Sequence, residues 1–503
     1  MAKEGESHSQ LNVIFLPYPT PGHMLPMVDT AGLFAKQGVS VTIITTHANA
    51  STFRKAIDLD FTCGHPIRFK VLLFPSAQVG LPDGLENIKD ATSLQFFGKL
   101  SYGLSILKDR IDVLFQDLKP DCLVTDMMYP WTVDSAAKLK IPRLYFYSSS
   151  YFSICAGHFV RKHKPHESIA VSDNHKFQIP GLRHHIEMTT LQLEEWLRTK
   201  TDNFTAKMMN EIYESESRSY GTLCNSFHEF ESDFEQLYQT IKGIKGWSVG
   251  PVSAWISKGE TDEIKANKGH KEDLEEKSEW LSWLNSKQNE SVLYVSFGSL
   301  TRLSHTQIVE IAHGLENSGQ NFIWVIRKKG EDEAGEQSFL IEFEERMKES
   351  KKGFIIWNWA PQLLILSHPA IRGIVTHCGW NSILESVSAG LPMITWPMFS
   401  EQFYNERLLV DVLKIGVPVG SKENKFWATA GEVAVVGRED IAKAVMKFMG
   451  RDEECIEMRM RARKLCDASK KSIEEGGSSY NNLIQLIDEL KSLKASRALE
   501  KTN

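Results

Sequence analysis

Several things are missing from this chain, and each absence removes a class of function. No apolar run approaches the roughly 18 residues that a membrane-spanning helix needs, so no integral membrane segment is expected among its 503 residues. Cationic excess is missing too. Lys and Arg number 58 against 64 Asp and Glu, for a formal charge of −6, so no basic field exists to hold nucleic acid or an anionic bilayer. Cysteines are few and odd in number, seven in all, with no CxxC spacing, which argues against a disulfide framework and for reduced thiols. No GxGxxG occurs, so nicotinamide and flavin readings lose support. The stretch MAKEGESHSQ lacks the apolar core of a secretory leader. A soluble, cytoplasmic monomer is the expectation.

What is present is ordinary globular composition, 42% hydrophobic and 24% charged, in a chain long enough for two domains. LNVIFLPYP reads as a buried parallel strand, TPGH as a loop, 24–36 as a helix stopped by Gly38, and 40–46 as the next strand. Strands at 121–126 and 143–148 flank a helix at 133–139. The pattern restarts with strands at 291–299 and 321–327 around an N-capped helix at 304–319. GFIIW, AIRGIVTH and GLPMITWP follow as further strands, and three helices close the chain at 439–449, 453–472 and 479–492. Such alternation predicts α/β architecture with parallel sheets: two doubly wound, Rossmann-like domains facing across a cleft. The expected division is 1–250, a charged linker at 251–285, 286–475, and a C-terminal helix at 476–503 packing back on the first domain. Within the linker, 13 of the 22 residues from 258 to 279 are charged, as in a solvated loop. A second polar loop is expected at 328–338.

The segment 359–402, WAPQLLILSHPAIRGIVTHCGWNSILESVSAGLPMITWPMFSEQ, carries the densest chemistry. It reads as a strand, a tight HCG turn and a helix opening near Trp380. Helix N-termini offer unpaired N–H groups and a positive dipole end, which suits a diphosphate. His377 adds a donor there, and Asn381 and Ser382 fall in the first turn, where short polar side chains cap or bind phosphate. Glu385 lies on the same face one turn deeper, where a carboxylate suits ribose hydroxyls. Trp359 opens a turn where an indole can stack on a flat base, and Glu401-Gln402 suit paired sugar hydroxyls. Singly, each has a plainer role: Trp359 and Trp380 as core aromatics, Asn381 and Ser382 as caps, Glu385 as a surface residue. Their order, base to phosphate to ribose to sugar, favours the joint reading.

The segment resembles the signature box of plant UDP-sugar-dependent glycosyltransferases of small molecules, the family with the GT-B fold. The match runs through Trp359, Gln362, His377, Gly379, Trp380, Asn381, Ser382, Glu385, Glu401 and Gln402, with PGH near the start and VSFGS at 295–299. The resemblance implies that Trp359 and Ala360 hold uracil, Gln362 and Glu385 ribose, and Ser299, His377, Asn381 and Ser382 the diphosphate. Trp380, Glu401 and Gln402 then face the transferred sugar, joined by Ser148. Gln402 implies UDP-glucose, with glucuronate and xylose donors left open. Arg372, where the family has a small residue, is expected to point away from the cleft.

His23, in the loop after the first strand, and Asp126, at the end of LVTD, sit at strand ends that can be neighbours in one sheet. The resemblance makes His23 the general base and Asp126 its orienting carboxylate, in an inverting transfer to a small apolar acceptor such as a triterpenoid or flavonoid. No metal and no cofactor beyond the UDP-sugar co-substrate is expected. Asp58-Leu59-Asp60 reads as a solvated turn rather than a metal pair, and the histidines between 161 and 185 as a mobile loop. The aromatic stretch 145–159, with 94–107 and 188–196, reads either as acceptor pocket or as core. Two other functions stay open: a UDP-sugar-binding protein without catalysis, and a sugar-nucleotide epimerase.

Overall fold

A computed structural model describes residues 10–91, 93–168, 175–198, 204–258, 274–327, 334–425 and 434–502. Residues 259–273 of the expected linker and 328–333 of the second expected loop lie outside them. The strands, in chain order, are β1 (Asn12–Leu16), β2 (Ser40–Thr46), β3 (Ile67–Leu72), β4 (Cys122–Asp126), β5 (Arg143–Tyr147), β6 (Lys176–Gln178), β7 (Glu187–Thr189), β8 (Gly221–Cys224), β9 (Lys245–Ser248), β10 (Val292–Ser296), β11 (Asn321–Ile326), β12 (Gly353–Trp357), β13 (Ile371–Thr376), β14 (Met393–Thr395) and β15 (Gly416–Pro418).

Two compact units result. The first comprises Met1–Tyr151, Asp202–Lys258 and Lys471–Asn503, and the second Phe152–Thr201 and Gly259–Lys470. In the first unit a parallel sheet runs β3-β2-β1-β4-β5-β8-β9. Its central strands are almost wholly buried because helices cover both faces. The core joins Val13, Phe15, Val41, Ile43 and Val124 to Phe34 and to Leu483, Leu486, Ile487 and Leu490 of the helix Ser478–Thr502. That last helix is further tied down by Asn482, whose amide donates to the Ser248 carbonyl at 3.0 Å.

In the second unit the parallel order is β12-β11-β10-β13-β14-β15. Both sheets therefore reverse strand order between a first and a fourth strand: β1 with β4, and β10 with β13. Ligands of such sheets bind past the carboxyl ends at that reversal. The helix His305–Ser318 is capped as its sequence predicts, the Ser304 hydroxyl accepting from the Gln307 N–H, with Gly319 left-handed at its end. The sequence reading assigns 152–201 to the first domain, whereas its contacts belong to the second unit. The residues after the hairpin β6–β7 hydrogen-bond to 421–425, as Asn424 N–H donating to the Leu191 carbonyl shows. Asp58 and Asp60 lie in the helix His47–Thr62, and β3 follows it, so that stretch is a helix end rather than a turn. The histidine-rich region likewise contains β6 of the hairpin and a buried His166 whose Nε2 donates to the Leu197 carbonyl, 3.1 Å away.

Candidate active site

In the first unit the register pairs Leu16 with Thr125, so the loop after β1 and the end of β4 come side by side. Pro21 and Gly22 open the helix Pro21–Lys36, where proline suits the first helical positions, and His23 follows in the first turn. Its Nδ1 lies 2.9 Å from Oδ2 of Asp126. Asp126 is fully buried, while His23 keeps a quarter of its side chain exposed. The other carboxylate oxygen accepts from the Met128 N–H at 2.9 Å. With Nδ1–H held by the carboxylate, Nε2 is the basic nitrogen, and any imidazolium formed faces a buried negative charge.

Beneath the pair sits Arg143, a residue with no signal in sequence. Its buried guanidinium donates to Thr125 Oγ1 at 2.8 Å and to Ser219 Oγ at 2.7 Å, and reaches the Asp126 carbonyl at 3.5 Å. Burial pulls its pKa down to about 10, opposed by Tyr145 and Asp126. Tyr18 and Tyr129 wall the site, with ring centres 5.6 Å apart and hydroxyls pushed well up by burial.

In the second unit Ser296 pairs with Thr376, placing 297–299 beside the HCG turn. The helix Trp380–Ser388 opens at Gly379. Thr376 Oγ1 accepts from the Cys378 N–H at 3.2 Å, and buried Asn405 donates to the Cys378 carbonyl at 3.1 Å, so the turn is held from both sides. Cys378 itself is left-handed, at φ 64°. The His377 imidazole lies between two glycines. A Cβ on Gly298 would stand 2.4 Å from its Cε1, and one on Gly379 2.3 Å from its Nε2. Gly379 thus provides room for the ring, and Gly298, at φ +73°, does the same from the other strand. Burial lowers the His377 pKa to about 4, so the ring is neutral at pH 7 and offers one N–H rather than a charge. Its buried Nδ1 has no hydrogen-bond partner among the described residues.

One turn deeper, Gln362 and Glu385 meet. Gln362 Nε2 donates to Glu385 Oε2 at 2.6 Å and to Ser382 Oγ at 3.1 Å, and its Oε1 accepts from the Tyr294 hydroxyl at 3.2 Å. Tyr294, buried on β10, was not legible in the sequence. Glu401 occupies the N-cap position of the short helix Gln402–Arg407, without a capping hydrogen bond from its side chain. Gln402 is buried, its Oε1 accepting from the N–H groups of Met398 and Phe399 at 3.0 and 3.1 Å. Near Glu401 stands Glu194, which burial pushes up to about 7, Arg161 opposing and Glu401 reinforcing the shift.

This arrangement has close counterparts. Residues 263–417 match the family described as UDP-glucoronosyl and UDP-glucosyl transferase. A soyasapogenol B glucuronide galactosyltransferase of Glycine max is 51% identical over 500 residues, covering 99% of both chains. The chain belongs to the UDP-glycosyltransferase family. A UDP-glucose flavonoid 3-O-glucosyltransferase of Fragaria ananassa is 43% identical, over 98% of this chain and 99% of that one. The crystal structure of Glycyrrhiza uralensis UGT73P12 complexed with glycyrrhetinic acid 3-O-monoglucuronide superposes with a TM-score of 0.92 at 47% identity, covering 98% of each. The fold of this UDP-glycosyltransferase is therefore GT-B, and its activity is transfer of a sugar from a UDP-sugar to a small plant metabolite.

The remaining sequence-assigned residues of this glycosyltransferase fall as follows. Ser299 stands past the end of β10, its carbonyl accepting from Arg327. Trp359 and Ala360 follow β12 in the turn after left-handed Asn358. Asn381 and Ser382 occupy the first turn of the helix that Trp380 opens. Trp380 is 2% exposed. Ser148 follows β5 in the first unit, whereas the rest of the donor box is in the second. Arg372 sits at the start of β13, at the end remote from His377, donating to the carbonyls of Glu290 and Gly450 at 3.2 and 2.6 Å. Among the described residues no cluster of His, Cys, Asp or Glu could hold a metal ion, and no helix is long and apolar enough to cross a membrane.

Proposed function

We propose that this glycosyltransferase inverts the anomeric centre in a single metal-free displacement, with His23 as base and Asp126 as its orienting partner. The 2.9 Å bond between them carries the reading. A hydroxyl is a poor nucleophile at neutral pH. His23 Nε2 takes its proton as the acceptor oxygen bonds to sugar C1, while the bond from C1 to the UDP oxygen breaks on the opposite face. Asp126 keeps the tautomer and stabilises the imidazolium, help worth about 10²-fold to 10⁴-fold. The departing diphosphate is received by the N–H groups opening the helix Trp380–Ser388, by Ser299, Asn381 and Ser382, and by neutral His377. Gln362 and Glu385 hold ribose, Trp359 and Ala360 the uracil, and Glu401 and Gln402 the sugar.

For the acceptor we infer a triterpenoid that already bears a glucuronosyl group. Two relatives spanning nearly the whole chain support this, one named for soyasapogenol B glucuronide and one crystallised with glycyrrhetinic acid 3-O-monoglucuronide. Gln402 favours UDP-glucose. The galactosyltransferase relative favours UDP-galactose as the second reading. The seven free thiols, six of them buried, support a reducing, cytoplasmic setting. The test supplies each UDP-sugar with a triterpenoid monoglucuronide, the bare triterpenoid and a flavonol, and reads UDP release and product mass. Faster turnover of the flavonol than of the glucuronide would overturn the acceptor reading, and donor conversion without acceptor would point to epimerisation. EDTA is expected to leave the rate unchanged. Loss of activity restored by a divalent cation would overturn the metal-free scheme.

A further inference from the structure

The turn 397–402 leads into Glu401 and Gln402, and it is bound on nearly every side. Ser400 within it is left-handed, at φ 54°, a conformation a non-glycine residue holds only when its surroundings impose it. The segment 421–425 supplies that constraint. Ser421 Oγ donates to the Pro397 carbonyl at 2.7 Å, the Lys425 N–H to the Met398 carbonyl at 3.2 Å, and Asn424 Nδ2 to the Ser400 carbonyl at 2.7 Å. From inside the turn, Gln402 Oε1 takes the N–H groups of Met398 and Phe399.

Asn424 also works in the other direction. Its second amide hydrogen goes to the Gln192 carbonyl at 3.2 Å, its N–H to the Leu191 carbonyl at 2.8 Å, and its carbonyl accepts from Arg198 at 2.7 Å. The residue is 2% exposed. A primary amide of this length is the side chain that gives two hydrogens to two carbonyls at once, since a carboxylate would face both with lone pairs. Segment 191–198 is thereby fixed to the turn, and the charge of Glu401 reaches Glu194.

We propose that Asn424 is a positioning residue for recognition of the donor sugar: it sets the shape of the turn 397–402 and, through it, the direction in which Gln402 Nε2 points. Because Gln402 Oε1 is committed to backbone N–H groups, Gln402 meets the sugar as a hydrogen donor. Sugars that differ at one hydroxyl are told apart by where that donor stands, and a displacement of about 1 Å is enough to change a rate substantially. The inference rests on the reading that Glu401 and Gln402 face the sugar.

The experiment measures KM for UDP-glucose and for UDP-galactose, each divided by the Ki for UDP, in the full chain. This ratio isolates what the sugar contributes. Asn424→Asp is expected to change the ratio about tenfold for at least one donor while Ki for UDP stays within about twofold. General loosening of the fold would move both quantities together. Gln402→Glu, which keeps the acceptor atom and removes the donor, tests the underlying reading. An unchanged ratio there sinks that reading, whereas a changed ratio there with an unchanged one in Asn424→Asp overturns the role of Asn424 alone. Should Asn424→Asp not fold, Ser421→Ala carries the test, since it removes one hydroxyl from the same clamp. Its ratio must shift in the same sense as that of Gln402→Glu, and no shift overturns the proposal.

Discussion

The two units place chemistry at the same point of the same topology and finish it differently. In each, the strand order reverses between a first and a fourth strand, and the polar side chains gather past that reversal. In the first unit the result is a closed pair. Both oxygens of Asp126 are engaged, by His23 and by the Met128 N–H, and Arg143 braces the strand end from below. In the second unit the result is a network with an open end, Tyr294 to Gln362 to Glu385 and Ser382, beside a neutral His377 whose Nδ1 has no partner among the described residues. A general base works best when its geometry and tautomer are fixed in advance. A diphosphate site needs donors whose hydrogen bonds are still to be made.

That contrast can be broken at either end. The largest effect is expected in the first unit: His23→Ala should lower kcat by about 10²-fold to 10⁴-fold, and Asp126→Asn should do so comparably, with UDP affinity by calorimetry nearly intact in both. If either variant turns over at the wild-type rate, the pair is not the catalytic one. Next comes the room around His377. Gly298→Ala puts a methyl into the imidazole and strains a left-handed backbone, an overpacking cost of about 1–3 kcal/mol, so UDP binding should weaken about tenfold or more; unweakened binding would mean that the ring is not confined. Tyr294→Phe removes one donor from Gln362, a net loss of about 1 kcal/mol, and should raise KM for UDP-sugar by several-fold with kcat unchanged. An unmoved KM would detach Tyr294 from the donor site.

The smallest effect is a pH dependence. A histidine ordinarily titrates near 6.5, but His377 in the folded chain does so at about 4. Between those values the unfolded chain binds a proton that the folded chain refuses. This contribution to stability is therefore fully present above about pH 6.5 and lost as the pH falls toward 4. The thermal midpoint of the wild type should drop more steeply over that window than that of His377→Gln, and parallel curves would show that the ring titrates normally.

Much of the scaffold was legible because long apolar runs bounded by turn residues leave few alternatives. β2 and β12 have the bounds their sequences predict, and the capped helix His305–Ser318 starts and stops at Ser304 and Gly319. β8 and β9 were missed: GTLC and KGWS are too short to show a period, and they are strands because β5 pairs with one and that one with the other. β3 was missed because it alternates apolar residues with Arg68 and Lys70 at the sheet edge. Trp380 opens its helix where the sequence predicts, and its burial is decided by the tertiary packing.

By itself the sequence determined the alternation of strands and helices, the two nested binding patterns, and the residue types that suit base, phosphate, ribose and sugar. These depend on local periodicity and on side-chain chemistry, which the chain carries in its order. The tertiary structure alone decided which atoms meet. The Arg143 brace, the glycine walls around His377, the Tyr294 bond to Gln362 and the bridge made by Asn424 join residues remote in sequence. A hydrogen bond acts over about 3 Å, and only folding brings such positions that close.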